Sequence, residues 1–132
     1  MSWKRPVIAE AKKLIAMYPE KRSALGPLLY LALREDGYIS NDSIRQISEL
    51  LGITEAQVQS VSTFYSMYKQ DPVGKYLISV CKSVSCEISG SSSVIRELME
   101  ATNLNHLETD EEKIFTIEKV ECIGACGGAP AV

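Results

Sequence analysis

The first 70 or so residues space their hydrophobic side chains three or four positions apart, which is the period of an amphipathic helix. Pro19, Gly37 and Gly52 interrupt this pattern and divide the region into separate segments. The predicted helices are RPVIAEAKKLIAMYP, SALGPLLYLALRED, SNDSIRQISELLG and TEAQVQSVSTFYSMYK. Short amphipathic helices in this number predict a small helical bundle.

Capping signals indicate where these helices begin. Ser40 or Asn41 is placed to cap the third helix, and Thr54 with Gln57 has the spacing of a capping box before the fourth. The proline in LGPLL lacks a backbone N–H, so the second helix is expected to begin near Gly26.

After this region the pattern changes to strands and a single helix. DPVGK (Asp71 to Lys75) has the proline and glycine of a linker turn. KYLISV predicts a strand that ends directly at Cys81, SGSSSVIRELMEATN predicts a helix, and KIFTIEKV predicts a strand that ends just before Cys122. Strand, helix and strand in this order form a βαβ unit. We therefore expect two domains, residues 1–72 and residues 73–132.

Composition and charge narrow the function classes. The chain has 132 residues, of which 45% are hydrophobic and 23% charged, and its formal net charge is −3. Binding to nucleic acid is not expected, because it would need a basic patch. No apolar run approaches the roughly 18 residues of a membrane span, and MSWKRPVIAEAKK lacks the apolar core of a signal peptide. A cytosolic location without membrane insertion is expected, where thiols stay reduced and favour metal binding or catalysis over disulfides.

The cysteines lie in two pairs, and each pair follows a predicted strand. Cys81 and Cys86 are spaced C-x4-C, and Cys122 and Cys126 are spaced C-x3-C. The strands of a right-handed βαβ crossover run parallel, so their carboxyl ends lie at one edge of the sheet. The two thiol pairs are therefore expected to meet at that edge.

Thiolates gathered in this way suit a zinc ion or an iron–sulfur cluster. Structural zinc favours tight two-residue knuckles, whereas the wider spacings here better fit two irons bridged by two sulfides. Gly124, Ala125, Gly127 and Gly128 would let the main chain approach a bulky anion closely. Spacing alone favours [2Fe–2S] and leaves structural zinc and unliganded or redox-active thiols open. A dithiol oxidoreductase would place C-x-x-C at a helix start, and the sequence has no C-x-x-C.

Four stretches in order resemble the thioredoxin-like [2Fe–2S] ferredoxin subunit of respiratory NADH dehydrogenase, that is, of bacterial complex I, whose mitochondrial counterpart is the 24-kilodalton subunit. They are YPEKRSALGPLLYLALREDGYIS, VSTFYSMY, VCKSVSC and ECIGACGGAPAV, and the resemblance covers nearly the whole chain. It implies an α+β fold in which an N-terminal helical bundle precedes a thioredoxin-like α/β domain. It also implies that one [2Fe–2S] cluster is ligated by Cys81, Cys86, Cys122 and Cys126.

The resemblance implies electron transfer rather than catalysis by this chain alone. Family members pack against the flavin-bearing, NADH-oxidising subunit, which binds FMN and NADH, and accept an electron from its reduced flavin. The implied assembly is NADH:quinone oxidoreductase, which includes a large iron–sulfur subunit and lies on the cytoplasmic side of the inner membrane. Two alternatives stay open: the same module in a NAD-linked hydrogenase or formate dehydrogenase, and a zinc-stabilised interaction module without a redox role.

One departure from the family concerns the C-terminal end. Family chains usually continue past the AP stretch with further strands and a helix, whereas this sequence ends at Val132. The expectation is that the C-terminal part of the thioredoxin-like domain is missing from residues 73–132.

The remaining chemistry-bearing residues have ordinary interpretations. His106 and the acidic run from Glu108 to Glu112 are expected to be solvated loop residues. Lys82, beside a predicted ligand, is either a plain surface lysine or a group that raises the cluster potential. No nucleophile–base pair and no G-x-G-x-x-G motif is visible, so neither a catalytic residue nor a dinucleotide site is expected. Aromatic side chains in the fourth helix are expected to pack in the core, whereas exposure would indicate an interface; they are Phe64, Tyr65 and Tyr68.

Overall fold

The computed structural model describes residues 3–132, and the chain divides into two compact units between Pro72 and Val73. The first unit is helical, and the second is built from strands and helices. The predicted α+β class is therefore confirmed. Within residues 3–132, no helix has both the length and the apolar character that crossing a membrane requires.

The α-helices of the first unit begin and end close to the predicted caps. Ser40 accepts a hydrogen bond from a first-turn N–H of the third helix, and Thr54 and Gln57 form the capping box before the fourth. Gly37 and Gly52 follow the second and third helices in the left-handed conformation, with φ of 79° and 68°. The helices are α1 (Arg5–Ala16), α2 (Leu25–Asp36), α3 (Asn41–Leu51) and α4 (Glu55–Phe64).

A short 3-10 helix, Lys21–Ala24, precedes α2. Because α2 itself begins at Leu25, Pro27 falls in the first turn, where backbone N–H groups have no partner within the helix. The predicted start near Gly26 is therefore confirmed.

The fourth helix is shorter than predicted. It ends at Phe64, and Tyr65 is extended with ψ of 123°, so the predicted continuation to Lys69 is wrong. The turn brings Tyr68 into the core at 7% exposure, and its hydroxyl donates to the Gly26 carbonyl at 3.4 Å. Phe64 and Tyr65 stay 78% and 47% exposed, so the predicted core packing is wrong for these two residues. Helix α4 thus ends where the chain turns to bury the Tyr68 side chain.

One face of each helix builds the core of the first unit. Helix α2 buries Leu25, Leu28, Leu29 and Ala32, and α3 contributes Ile44, Ile47 and Leu51. A surface ion pair also joins α1 to α2, because Arg34 donates to both carboxylate oxygens of Glu10 at 2.8 and 2.7 Å. Hydrogen bonding to this guanidinium lowers the pKa of the Glu10 carboxyl below its ordinary value.

The second unit has the predicted parallel βαβ arrangement. Its strands pair in parallel, with Tyr76 opposite Phe115 and Cys81 opposite Val120. An additional short helix, which the sequence pattern did not predict, lies directly after the first strand. The elements are β1 (Tyr76–Cys81), α5 (Val84–Ile88), α6 (Ser91–Thr102) and β2 (Phe115–Val120).

A loop covers the outer edge of β2. The Leu107 N–H donates to the Ile117 carbonyl at 2.7 Å, and Nδ1 of His106 accepts from the Lys119 N–H at 3.1 Å. His106 is exposed, as predicted for a loop residue, and it also occupies an otherwise open donor of the strand.

Gly74 provides a test of the packing beside β2. A Cβ on this residue would lie 2.8 Å from backbone atoms of Ile114 and Phe115. Backbone atoms cannot rotate away as the end of a flexible side chain can. We expect Gly74→Ala to lower the free energy of unfolding of the second unit by about 1–3 kcal/mol, measured by urea unfolding and by hydrogen exchange of the β1 and β2 amides. Gly26→Ala is the control, since its Cβ would meet only the Tyr68 hydroxyl at 3.4 Å. Equal losses in both variants would contradict the proposed clash.

The Glu10–Arg34 pair predicts an acid dependence of the first unit. A carboxyl with a lowered folded-state pKa stabilises the fold at neutral pH, and this contribution is lost as the pH falls through that pKa. We expect Glu10→Gln to weaken the loss of stability that the wild type shows below about pH 4, followed by thermal unfolding across a pH series. High salt should reduce the difference between the two proteins, because both side chains are at the surface. Identical pH profiles would show that the pair contributes nothing.

Candidate metal centre

All four cysteines lie at the carboxyl ends of the parallel strands. Cys81 is the last residue of β1, and Cys86 lies within α5. Cys122 lies in the loop after β2, and Cys126 begins a 3-10 turn in the same loop. The register of β1 against β2 thus brings the two thiol-bearing loops to one edge, as the sequence predicted.

Hydrogen bonds hold these two loops against each other. The Lys82 N–H donates to the Val120 carbonyl at 2.9 Å, which extends the strand pairing by one step. The Ser83 hydroxyl donates to the carboxylate of Glu121 at 3.1 Å, directly before the second thiol pair. The Cys81 N–H donates to the Ala131 carbonyl at 3.0 Å, so the segment that follows the second thiol pair is fixed beside Cys81.

The sulfurs form two adjoining pairs. Sγ of Cys122 lies 3.5 Å from Sγ of Cys126, and interaction with the Cys86 side chain contributes to the lowered pKa of Cys81. Negative charge on Cys122 contributes to the raised pKa of Cys86. Negative charge on Cys86 likewise contributes to the raised pKa of Cys126. Among residues 3–132, no three His, Cys, Asp or Glu side chains are grouped as ligands of a single metal ion.

Backbone amides, burial and neighbouring thiols together shift the pKa values of Cys81, Cys86 and Cys126. The Ser83 amide, with help from the Ile123 amide of the other loop, lowers the pKa of Cys81. The Ala131 amide acts to lower the pKa of Cys86, but burial and the neighbouring Cys81 outweigh it and raise that pKa. The pKa of Cys126 is raised, chiefly by its hydrogen bond with Cys122 and that neighbour's charge. Like charges this close favour a cation or a cationic cluster among them.

The two pairs differ in exposure. Cys81 and Cys86 are each 1% exposed, whereas Cys122 and Cys126 are exposed. Gly124 has φ of 78°, and no atom lies within 4 Å of the Cβ position at Gly124, Gly127 or Gly128. An all-sulfur donor set, with one thiol pair buried and the other exposed, has the donor chemistry of an iron–sulfur cluster. Zinc would need four sulfurs at about 2.3 Å from one point.

Sequence reasoning missed helix α5 and the hydrogen bonds that join it to α6. α5 carries Cys86, and its signal is weak, because only Ser83 marks a helix start and only five residues follow. Glu87 accepts hydrogen bonds from Ser91 and Ser92 at 2.9 and 2.5 Å, which joins α5 to the first turn of α6. The Ser92 and Ser91 hydroxyls lower the pKa of Glu87.

The other candidate residues are not part of the thiol site. His106 lies along β2, where it accepts from Lys119, and most of the acidic run from Glu108 to Glu112 is exposed. Asp110 is an exception with a structural role, since it accepts from the amides of Ile114 and Phe115 at 2.7 and 2.6 Å. Lys82 is exposed beside Cys81.

A parallel βαβ unit with four free thiols at its carboxyl edge belongs to the class of α/β folds that can offer an all-cysteine site to a metal centre. The family model described as "Thioredoxin-like [2Fe-2S] ferredoxin" matches residues 11–132, so the chain belongs to that family. The resemblance inferred from the motifs is thus confirmed, and with it the [2Fe–2S] cluster as the family's cofactor.

Curated relatives agree with this assignment. The E subunit of NADH-quinone oxidoreductase from Mycobacterium bovis is 39% identical over 123 residues, which cover 93% of this chain and 49% of the relative. The E subunit from Rickettsia typhi is 38% identical, covering 92% of this chain and 74% of the relative. Subunit 2 of the Thermus thermophilus enzyme is 35% identical, covering 92% and 68%. The chain spans about half the length of the mycobacterial relatives that it matches.

A solved structure supports the fold. A chain in the crystal structure of an NAD+-reducing [NiFe]-hydrogenase in the air-oxidized state superposes with a TM-score of 0.67 at 17% identity. The match covers 79% of this chain and 18% of the hydrogenase chain. At this identity the likeness concerns the fold alone.

The exposure difference predicts an order of thiol reactivity in the cluster-free protein. We expect Cys122 and Cys126 to be alkylated by iodoacetamide several-fold faster than the other two, because Cys81 and Cys86 are almost inaccessible. Mass spectrometry of tryptic peptides over a time course measures the rates, and protein in guanidinium chloride, where the order should vanish, is the control. Faster labelling of Cys81 or Cys86 in the native protein would contradict the described burial.

Proposed function

We propose that this chain is the electron-transfer subunit of an NADH:quinone oxidoreductase of the complex I type. In this role it holds one [2Fe–2S] cluster and exchanges single electrons with the flavin of a partner subunit. The observation that carries the proposal is the position of both thiol-bearing loops at one sheet edge, joined by backbone hydrogen bonds, in a member of a [2Fe–2S] ferredoxin family. The oxidoreductase names of the relatives, at 32–39% identity, support this assembly.

The proposed cluster ligands are Cys81, Cys86, Cys122 and Cys126. Their support is the donor chemistry and the position of both thiol-bearing loops at one sheet edge, where the Cys81 N–H donates to the Ala131 carbonyl. When bound, the cluster supplies a one-electron redox centre. The chain itself holds the thiolates, donates amide hydrogen bonds to them from Ser83, Ile123 and Ala131, and excludes water from Cys81 and Cys86. These amide dipoles stabilise negative charge on sulfur without adding a charged side chain.

The exposed thiol pair gives the proposed cluster a path to a partner. Cys122 and Cys126 lie at the surface, so a redox group on another subunit can approach them more closely than it can approach the buried pair. No catalytic residue is proposed in this chain. NADH and FMN would be bound by the flavin-bearing subunit, and the large iron–sulfur subunit is the second proposed partner.

The proposed location is the cytoplasmic side of the inner membrane, as a peripheral part of the assembly. Within it, we propose residues 1–72 and 73–132 as a helical domain and a cluster domain, supported by the two compact units. A NAD-linked hydrogenase is a second candidate assembly, favoured by the fold of the hydrogenase chain. The curated relatives favour the quinone oxidoreductase.

Cluster content tests the proposal directly. We expect the chain, purified without oxygen or reconstituted with ferrous iron and sulfide, to be brown, with two irons and two acid-labile sulfides per chain. Dithionite should bleach it and produce a paramagnetic signal in the reduced state. A colourless protein with one zinc and no sulfide would contradict the proposal and support the zinc-stabilised interaction module.

Substitution tests the ligand set. We expect Cys86→Ala to lose most of the iron and sulfide, whereas Ser85→Ala, which changes an exposed neighbour in the same helix, should retain the wild-type content. Full cluster content in Cys86→Ala would remove this residue from the ligand set. Subunits that co-purify with the tagged wild-type chain from its own cells would distinguish the quinone oxidoreductase from the hydrogenase.

A further inference from the structure

A buried carboxylate lies in the sheet that carries the first thiol. Glu118, in β2, is 6% exposed, and its Oε1 accepts a hydrogen bond from the Ser79 hydroxyl at 2.6 Å. Ser79 and Glu118 are direct partners in the parallel register. Buried glutamates are uncommon, and neither the proposed ligand set nor the proposed partners use this one.

Strand geometry places this pair beneath the thiol site. Side chains alternate between the two faces of a strand, so Ser79 and Cys81 lie on the same face of the sheet. Their register partners on β2 are Glu118 and Val120. Residues two apart on a strand are separated by about 6.6 Å, at roughly 3.3 Å per residue. The Glu118 carboxylate therefore lies one step of the sheet below Cys81, toward the strand interior and away from solvent.

A charge at this position changes the free energy of adding an electron to the cluster. Reduction adds one negative charge to a centre that four thiolates already make negative. A buried negative charge nearby opposes that step, and the low dielectric of the interior screens it less than water screens a surface charge. The Ser79 hydroxyl donates into the carboxylate, so it offsets part of this effect.

We propose that Glu118 lowers the reduction potential of the [2Fe–2S] cluster bound at Cys81, and that the hydrogen bond from Ser79 reduces this effect. This inference rests on the proposed cluster and concerns the tuning of its potential. Glu118 touches neither substrate nor cofactor in this proposal and acts through its charge. Replacement by glutamine removes the carboxylate, so it tests the charge of this side chain directly.

A purely structural role is the competing explanation. Cross-strand hydrogen-bonded pairs stabilise sheets, and Ser79 with Glu118 is such a pair. A structural role would change the free energy of unfolding or the cluster content, whereas a tuning role changes the midpoint potential of an otherwise unaltered cluster. Glutamine has the shape of glutamate and can still accept from Ser79, so Glu118→Gln separates charge from packing.

The test is a redox titration of the reconstituted full chain, followed by paramagnetic resonance of the reduced cluster. We expect Glu118→Gln to raise the midpoint potential enough to change the reduced-to-oxidised ratio at fixed potential about tenfold, which is 59 mV for a one-electron couple. Iron and sulfide content and the shape of the signal should match the wild type. Glu97→Gln, which removes an exposed carboxylate on α6, is the control and should shift the ratio less than twofold.

Two results would overturn the inference where Glu118→Gln loads its cluster: an unchanged potential, or a shift equal to that of Glu97→Gln. Where Glu118→Gln does not fold or load, Ser79→Ala decides, because loss of the hydroxyl leaves the carboxylate less compensated and should lower the potential. An unchanged or raised potential in that variant would then overturn the inference. Failure of the wild type to bind any cluster would instead overturn the proposed function, and this inference with it.

Discussion

The parallel hydrogen bonding of β1 with β2 is the constraint on which the site depends. Cys81 ends one strand opposite Val120, which ends the other, and the Lys82 amide continues the ladder into the first thiol loop. The second thiol loop must therefore leave the sheet at the same edge. An antiparallel pairing of the same two strands would send the loops to opposite edges and separate the thiol pairs by the length of a strand.

Main-chain amides act on both buried sulfurs and favour their charged forms. Amides of Ser83, Ile123 and Ala131 reach the two buried thiols from three different segments. Dipoles of this kind are fixed by the backbone and need little rearrangement when the charge of a bound cluster changes. The Ser83–Glu121 hydrogen bond and the Cys81–Ala131 backbone contact keep those segments together. The second unit thus places two thiol pairs at one sheet edge, in agreement with the [2Fe–2S] ferredoxin family to which the chain belongs.

The helical unit shows a different balance between local and tertiary forces. Its helices follow the period of the apolar residues, and Ser40, Thr54, Gly37 and Gly52 act at the positions that their chemistry predicts. The exception is the end of α4, where a continuous aromatic pattern suggested a longer helix. Ring contacts link Phe64 to Tyr65 and Tyr65 to Tyr68 at 4.9 and 6.0 Å, so the segment keeps its aromatic packing even though the helix has ended.

The sequence by itself determined the α+β class, the helix caps, the parallel βαβ unit and the position of both thiol-bearing loops at one sheet edge. These features depend on periodicity, on glycine and proline positions and on the handedness of the crossover, all of which act over short stretches of chain. Only the tertiary structure decided the short helix around Cys86, the exposure of Phe64 and Tyr65, and the burial of Glu118 beside Ser79. The physical reason is that each of these is set by what packs against the residue. A five-residue helix has too little local preference to be recognised, and an alternating strand pattern does not show which polar side chain the fold will enclose.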